Sequence, residues 1–177
     1  ISRALHSQII SINQSATQSY RIRGGKQLHG AVEINTSKNA AVGLLCASLL
    51  NKGTTTIHHL AHIEEVHRIL EVFDSIGVKT TWINDNRDLK INVPDKLNLE
   101  NLDIAAARRT RSVIMMMGPL LHFFNEFKLP YAGGCSLGTR TVGPHLMALS
   151  HFGLEVDAKS ESGFYLARVN PIKDSER

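Results

Sequence analysis

Residues 73–80, FDSIGVKT, and residues 149–156, LSHFGLEV, carry the same pattern twice, and that repetition decides the fold. In each, the end of an apolar-faced segment meets a glycine and then a β-prone run. Aligning Gly77 with Gly153 gives an offset of 153 − 77 = 76 residues. A glycine at that point is the usual stop of a helix, because it adopts the left-handed backbone at little steric cost. Upstream, EEVHRILEVFDSIG (64–77) puts Val66, Ile69, Leu70, Phe73 and Ile76 on one helical face. HLMALSHFG (145–153) predicts the equivalent helix closing on Gly153. Downstream, VKTTWI and DLKINV predict a strand pair around Asn84, Asp85 and Asn86. LEVDAKS and GFYLARV predict a second pair around a polar turn.

The repeat extends outward from there. TSKNAAVGLL (36–45) and RTRSVIMMMG (109–118) fall at nearly the same offset. The first predicts a helix over 38–50 with Ser37 as N-cap, followed by a β-branched strand in TTTIHHL. The second predicts a helix over 111–124, with Met115, Met116 and Met117 filling core space, followed by a strand in FKLPYAGG. YRIRGG (20–25) reads as a short strand ending in a Gly-Gly turn. GAVEIN (30–35) alternates like a half-buried strand. The expectation is a mixed α/β (α+β) fold of repeated βαβαββ units. Residues 1–19 form a tail or linker, 20–30 an opening strand, 31–97 the first unit, 98–169 the second, and 170–177 the start of a continuation.

Composition narrows the function classes. The 177 residues are 42% hydrophobic, 20% charged and 6% aromatic, an ordinary globular balance, and no apolar run is long enough for a membrane span. The net charge of +4 favours anionic partners. The basic residues are scattered and lack interleaved aromatics, so nucleic acid is not the expected partner. Cys46 lies in an apolar helical run and Cys135 in the loop-like GGCSLG, which fits a reducing, cytoplasmic compartment better than a disulfide framework. His58, His59, His62 and His67 lack the spacing of a zinc motif; His58 and His59 are expected on opposite faces of a strand, and no metal is expected.

Three residues stand out for chemistry. Lys38 and Arg111 each start an apolar helix, where free backbone N–H groups favour anions. A cation there is mildly disfavoured unless something compensates. The alternative for both is a solvated helix-start residue. Cys135 lies among glycines five residues before Arg140, where neighbouring guanidinium groups would favour the thiolate. The alternative is a tight turn with an incidental cysteine.

IRGGKQLHGAVEINTSKNAA, RTRSVIMMMGPLL and AGGCSLGTRTVGPHL, in that order, resemble motifs of the enolpyruvyl transferases. The closest branch is the UDP-N-acetylglucosamine 1-carboxyvinyltransferases, which have a Lys-Asn pair, an Arg-Ala-Ser helix ending in Gly-Pro-Leu, and a glycine-flanked cysteine loop. The resemblance runs from about Tyr20 to Val169. It implies an inside-out barrel of repeated units, with two units of the first domain present. It also implies transfer of the enolpyruvyl group of phosphoenolpyruvate to the 3-hydroxyl of UDP-N-acetylglucosamine, without metal or organic cofactor. This is the first committed step of peptidoglycan precursor synthesis.

By the same resemblance Lys38, Arg111 and Arg140 hold phosphoenolpyruvate or the departing phosphate. Asn39, Arg111, Arg140, Thr141, Val142 and Gly143 face the nucleotide sugar. Lys38 and Cys135 are catalytic, Cys135 as a proton donor near C3 and as the thiol that fosfomycin alkylates. The family places a third unit, an aspartate base and a further arginine elsewhere, much of this in a C-terminal domain of the same chain. Its opening strand packs into that second domain. This chain is therefore expected to be inactive alone. The sequence reads Gly143 where the family has an aspartate near the uracil ring, which leaves the acceptor sugar open. The alternative is a non-catalytic module that binds a nucleotide sugar or another anion.

Overall fold

The computed structural model describes residues 21, 23–25, 27, 29–34, 36–131, 141–157 and 163–170. The chain divides into two units, 1–33 and 34–177. In the first, none of the described residues lies in a strand. The expected strand over 30–35 is likewise not formed at its described residues, and Val32 and Ile34 are 87% and 86% exposed. A strand is made by its partner, and neither sheet of the protein includes this segment.

The second unit holds the repeat. Helix α1 (Lys38–Ser48) leads into β1 (Gly53–Ile57), α2 (Glu64–Ser75), β2 (Lys79–Ile83) and β3 (Asp88–Val93). After a short helix α3 (Ile104–Arg109), a 3-10 turn (Arg111–Met116) and helix α4 (Met117–Leu120), the same order returns. It runs β4 (Glu126–Pro130), α5 (Gly143–Ser150), β5 (Leu154–Asp157) and β6 (Phe164–Val169). The two sheets have the same topology, β1-β3-β2 and β4-β6-β5, with every pair antiparallel. In each, the last strand lies in the middle: Ile91 sits between Thr55 and Thr80, and Ala167 between Phe127 and Val156. The duplicated pattern around Gly77 and Gly153 is thus a duplicated fold. Both glycines have positive φ, +93° and +81°.

Helix α2 forms as its periodicity dictates. Val66, Ile69, Leu70, Phe73 and Ile76 are all buried, and together with Leu45 and Leu49 of the α1 region, Leu89 and Ile91 of β3, they form one core. That core continues through Met116, Met117, Leu120, Phe127, Leu129 and Leu154 into the second repeat. The turn between β2 and β3 places Asn84, Asp85 and Asn86 at φ of 53°, 55° and 61°, a left-handed run that asparagine and aspartate tolerate best.

Three further expectations need correction, and one helix is new. The helix over 111–124 is instead a 3-10 turn followed by four α-helical residues; Gly118-Pro119 gives little support for a long regular helix. The helix at Ile104–Arg109, capped by the Asp103 side chain on Ala106 N at 2.9 Å, was not anticipated. Met116 and Met117 are fully buried, whereas Met115 is 38% exposed. His58 and His59 do not alternate along a strand, because β1 ends at Ile57 and His59 has φ of 52°.

Asp88 explains that turn. Its buried carboxylate accepts from His59 N and His58 Nδ1, each at 2.9 Å, and from Asn84 Nδ2 at 2.7 Å. One side chain thus ties the β1–α2 connection to the β2–β3 turn. These bonds, the one from the His59 backbone foremost, hold its pKa far below the usual carboxylate range.

Truncating Phe73 to alanine should cost about 3–5 kcal/mol, since a fully buried aromatic leaves a cavity between α2 and the sheet. Met147→Ala, at a side chain 68% exposed, should stay within about 0.5 kcal/mol. Urea unfolding followed by circular dichroism measures both.

Candidate functional site

The site grows from three helix or turn starts. Ser37 caps α1, its Oγ accepting from Ala40 N at 3.3 Å, and this leaves Lys38 as the first helical residue. A lysine there opposes the helix dipole, so its charge needs a counter-charge. Glu65 supplies it: Lys38 Nζ forms an ion pair with Glu65 Oε2. Glu65 lies in the first turn of α2, where the dipole favours a carboxylate.

The other carboxylate oxygen of Glu65 reaches the second repeat. Oε1 accepts from Thr110 Oγ1 at 3.1 Å and from Ser112 Oγ. Thr110 is also the cap of the 3-10 turn, its Oγ1 accepting from Ser112 N at 3.2 Å. Glu65 therefore bonds Lys38 and both neighbours of Arg111. Its side chain is 19% exposed while that of Lys38 is 56% exposed, so the carboxylate is the more sheltered of the two. Burial pushes the Glu65 carboxyl up, but hydrogen bonds from Lys38, Ser112 and Thr110, with the Lys38 charge, hold it below its ordinary value.

Arg111 turns toward the start of α5. Its Nη2 donates to the Thr141 carbonyl oxygen at 3.0 Å, and Thr141 Oγ1 accepts from Gly143 N at 3.0 Å. Val142 immediately precedes α5 and Gly143 begins it. A Cβ at Gly143 would lie 3.1 Å from Thr141 Oγ1, so the missing side chain lets the turn close. The two cations have related partners: Lys38 contacts Glu65 in the first turn of α2, Arg111 contacts Thr141 two residues before α5, and 141 − 65 = 76 is the offset already set by 153 − 77. The α1 start is held in turn by Thr36 Oγ1, which donates to His59 O at 2.7 Å.

Of the expected site residues, the structure brings Lys38 together with the Arg111 turn, and Arg111 together with Thr141 to Gly143. Asn39 is exposed, one residue along α1 from Lys38. Cys135 and Arg140 lie outside the described residues. Glu65, Thr110 and Ser112 went unnoticed in the sequence; the 76-residue offset, which maps Glu65 onto Thr141, was the signal that could have drawn attention to the first of them. Cys46 is a core residue, its thiol pushed up to about 12 by burial. His62 stacks on Trp82 with ring centroids 3.9 Å apart, and His67 flanks the pair. Among the described residues no three His, Cys, Asp or Glu side chains are grouped to hold a metal, and no helix is long and apolar enough to cross a membrane.

Residues 22–176 match the family profile described as EPSP synthase (3-phosphoshikimate 1-carboxyvinyltransferase). The chain belongs to the enolpyruvyl transferase family. It is 35% identical over 148 residues to UDP-N-acetylglucosamine 1-carboxyvinyltransferase 1 of Legionella pneumophila, covering 82% of this chain and 28% of that protein. It is 32% identical over 144 residues to UDP-N-acetylglucosamine 1-carboxyvinyltransferase 2 of Caldanaerobacter subterraneus, covering 78% and 32%. The fold is similar to that of the enolpyruvyl transferase NikO from Streptomyces tendae, with a TM-score of 0.68 at 17% identity over 85% of this chain and 32% of that one. The chain thus spans about a third of the length of the family members it matches.

The depressed Glu65 pKa fixes the sign of a pH effect. A carboxylate with a folded pKa below its unfolded value binds a proton more readily in the unfolded state, so it stabilises above the unfolded value and loses that contribution as pH falls through the folded one. The wild type's advantage over Glu65→Gln, read as the urea midpoint, should be full near pH 7 and shrink below the ordinary glutamate value of 4.5. Because the pair is partly exposed, added salt should reduce it.

Proposed function

We propose that the intact protein transfers the enolpyruvyl group of phosphoenolpyruvate to the 3-hydroxyl of UDP-N-acetylglucosamine and releases phosphate. The reading places it in the cytoplasm, at the first committed step of peptidoglycan precursor synthesis. The observation that carries it is the connection of Lys38 and the Arg111 turn, from two repeats, through one carboxylate. Two cations on linked segments suit a substrate bearing both a phosphate and a carboxylate. The names and identities of the relatives above support the choice of acceptor.

In this reading Lys38 and Arg111, with Arg140, orient phosphoenolpyruvate and Asn39 helps to hold the sugar nucleotide. The sugar hydroxyl oxygen bonds to C2 and gives up its proton to a base, while C3 accepts a proton from the Cys135 thiol. Loss of a proton from C3 and cleavage of the C2–O bond then restore the double bond and expel phosphate. The same cations stabilise the charge on the leaving group. Thr141, Val142 and Gly143 would face the nucleotide.

The test is phosphate release by the intact protein from phosphoenolpyruvate, with and without UDP-N-acetylglucosamine. Release should require the sugar nucleotide. Lys38→Met or Arg111→Met should lower kcat/KM by about 100-fold or more, the scale for removing one group that stabilises developing charge. Cys135→Ser should abolish most turnover, Cys135→Asp should retain it, and fosfomycin should label Cys135. Binding of UDP-N-acetylglucosamine without turnover by the intact protein would instead identify a non-catalytic member of the family.

A further inference from the structure

Three donors from two segments distant in sequence meet at a single carboxylate: Lys38 at the start of α1, and Thr110 and Ser112 of the 3-10 turn, all onto Glu65. An ammonium and hydroxyl donors are also what the oxygens of a bound phosphate or carboxylate require. Glu65 therefore answers, within the protein, part of the demand that an anionic ligand would answer. Its charge acts on the side of the site that Lys38 serves. Arg111 bonds to the neutral Thr141 carbonyl, and no ion pair to it occurs among the described residues.

We propose that Glu65 is the resident counter-anion of the site: it positions Lys38 in the ligand-free protein and, through its negative charge, sets how strongly an anion must bind to engage that lysine. This rests on the reading that Lys38 and Arg111 form an anion site. Glu65 touches no substrate atom in this role; it acts through Lys38. The charge effect outweighs the positioning effect for affinity. The carboxylate competes with an incoming anion for the Lys38 ammonium, whereas an exposed ion pair contributes little ordering energy. A ligand with two anionic groups, one for each cation, is favoured over one with a single group.

Calorimetry with inorganic phosphate at low ionic strength tests this on the chain itself. Glu65→Gln, which keeps the shape and an acceptor for the two hydroxyls, should bind phosphate about three- to tenfold more tightly than wild type. The gain should shrink in high salt and vanish in the Lys38→Met background, a result that a merely structural role would not produce. Glu65→Asp, which retains the charge, should stay within about twofold of wild type and keeps the test open if the glutamine variant folds poorly. Unchanged or weaker binding by a folded Glu65→Gln, a gain that survives without Lys38, or no phosphate binding by any variant would overturn the role. None of these measurements depends on carboxyvinyl transfer, so failure of that reaction in the intact protein and failure of this inference are read separately.

Discussion

The arrangement depends on the Glu65 carboxylate. Helices α1 and α2 both begin beside it, and each start carries partial positive charge on its free N–H groups. Lys38 adds a full positive charge at the same place. Such a cluster repels itself unless an anion lies within it, and Glu65 is the anion the sequence provides. By also accepting from Thr110 and Ser112 it connects the first repeat to the second at the point where Arg111 emerges. Buried apolar contacts hold the two sheets and their helices in one core, but they do not aim side chains. The carboxylate does.

The two repeats share a sheet topology but treat their cations differently. At positions 76 residues apart, the first repeat offers a carboxylate side chain and the second a backbone carbonyl. The lysine is charge-paired and the arginine bonds to a neutral group. Lys38, first in an α-helix, and Arg111, first in a 3-10 turn, thus differ both in backbone setting and in partner.

Much of the fold could be read from local pattern. The period of Val66, Ile69, Leu70, Phe73 and Ile76, the stop at Gly77 and the turn at Asn84 to Asn86 are short-range features set by backbone sterics and one buried face. They gave α2, β2 and β3, and the repeat gave α5, β5 and β6. Expectation failed where a long-range partner decides the outcome. Val32 and Ile34 alternate like a strand yet form none, since alternation does not provide a neighbour to pair with. RSVIMMMG reads as helix by composition, but Thr110 caps it into a tight 3-10 turn while binding Glu65, which lies 45 residues away in sequence. In the site, Lys38 and Arg111 stood out because a cation at a helix start is locally anomalous. Glu65 was missed because an acid there is locally ordinary.

That contrast bears on why a lysine in one repeat and an arginine in the other are not interchangeable. Lysine presents a compact charge on a flexible stem and gains from a fixed carboxylate that limits its wandering, which Glu65 provides. Arginine presents a planar fork; with one nitrogen committed to the Thr141 carbonyl, the plane is oriented and the remaining donors keep a defined direction. Placing arginine at position 38 would put a wide fork against a carboxylate already occupied by two hydroxyls, and lysine at 111 would lose the orientation that the fork gains from one bond. The structure thus steadies each cation by the means its own chemistry allows: an ion pair for the flexible one and a single backbone hydrogen bond for the planar one.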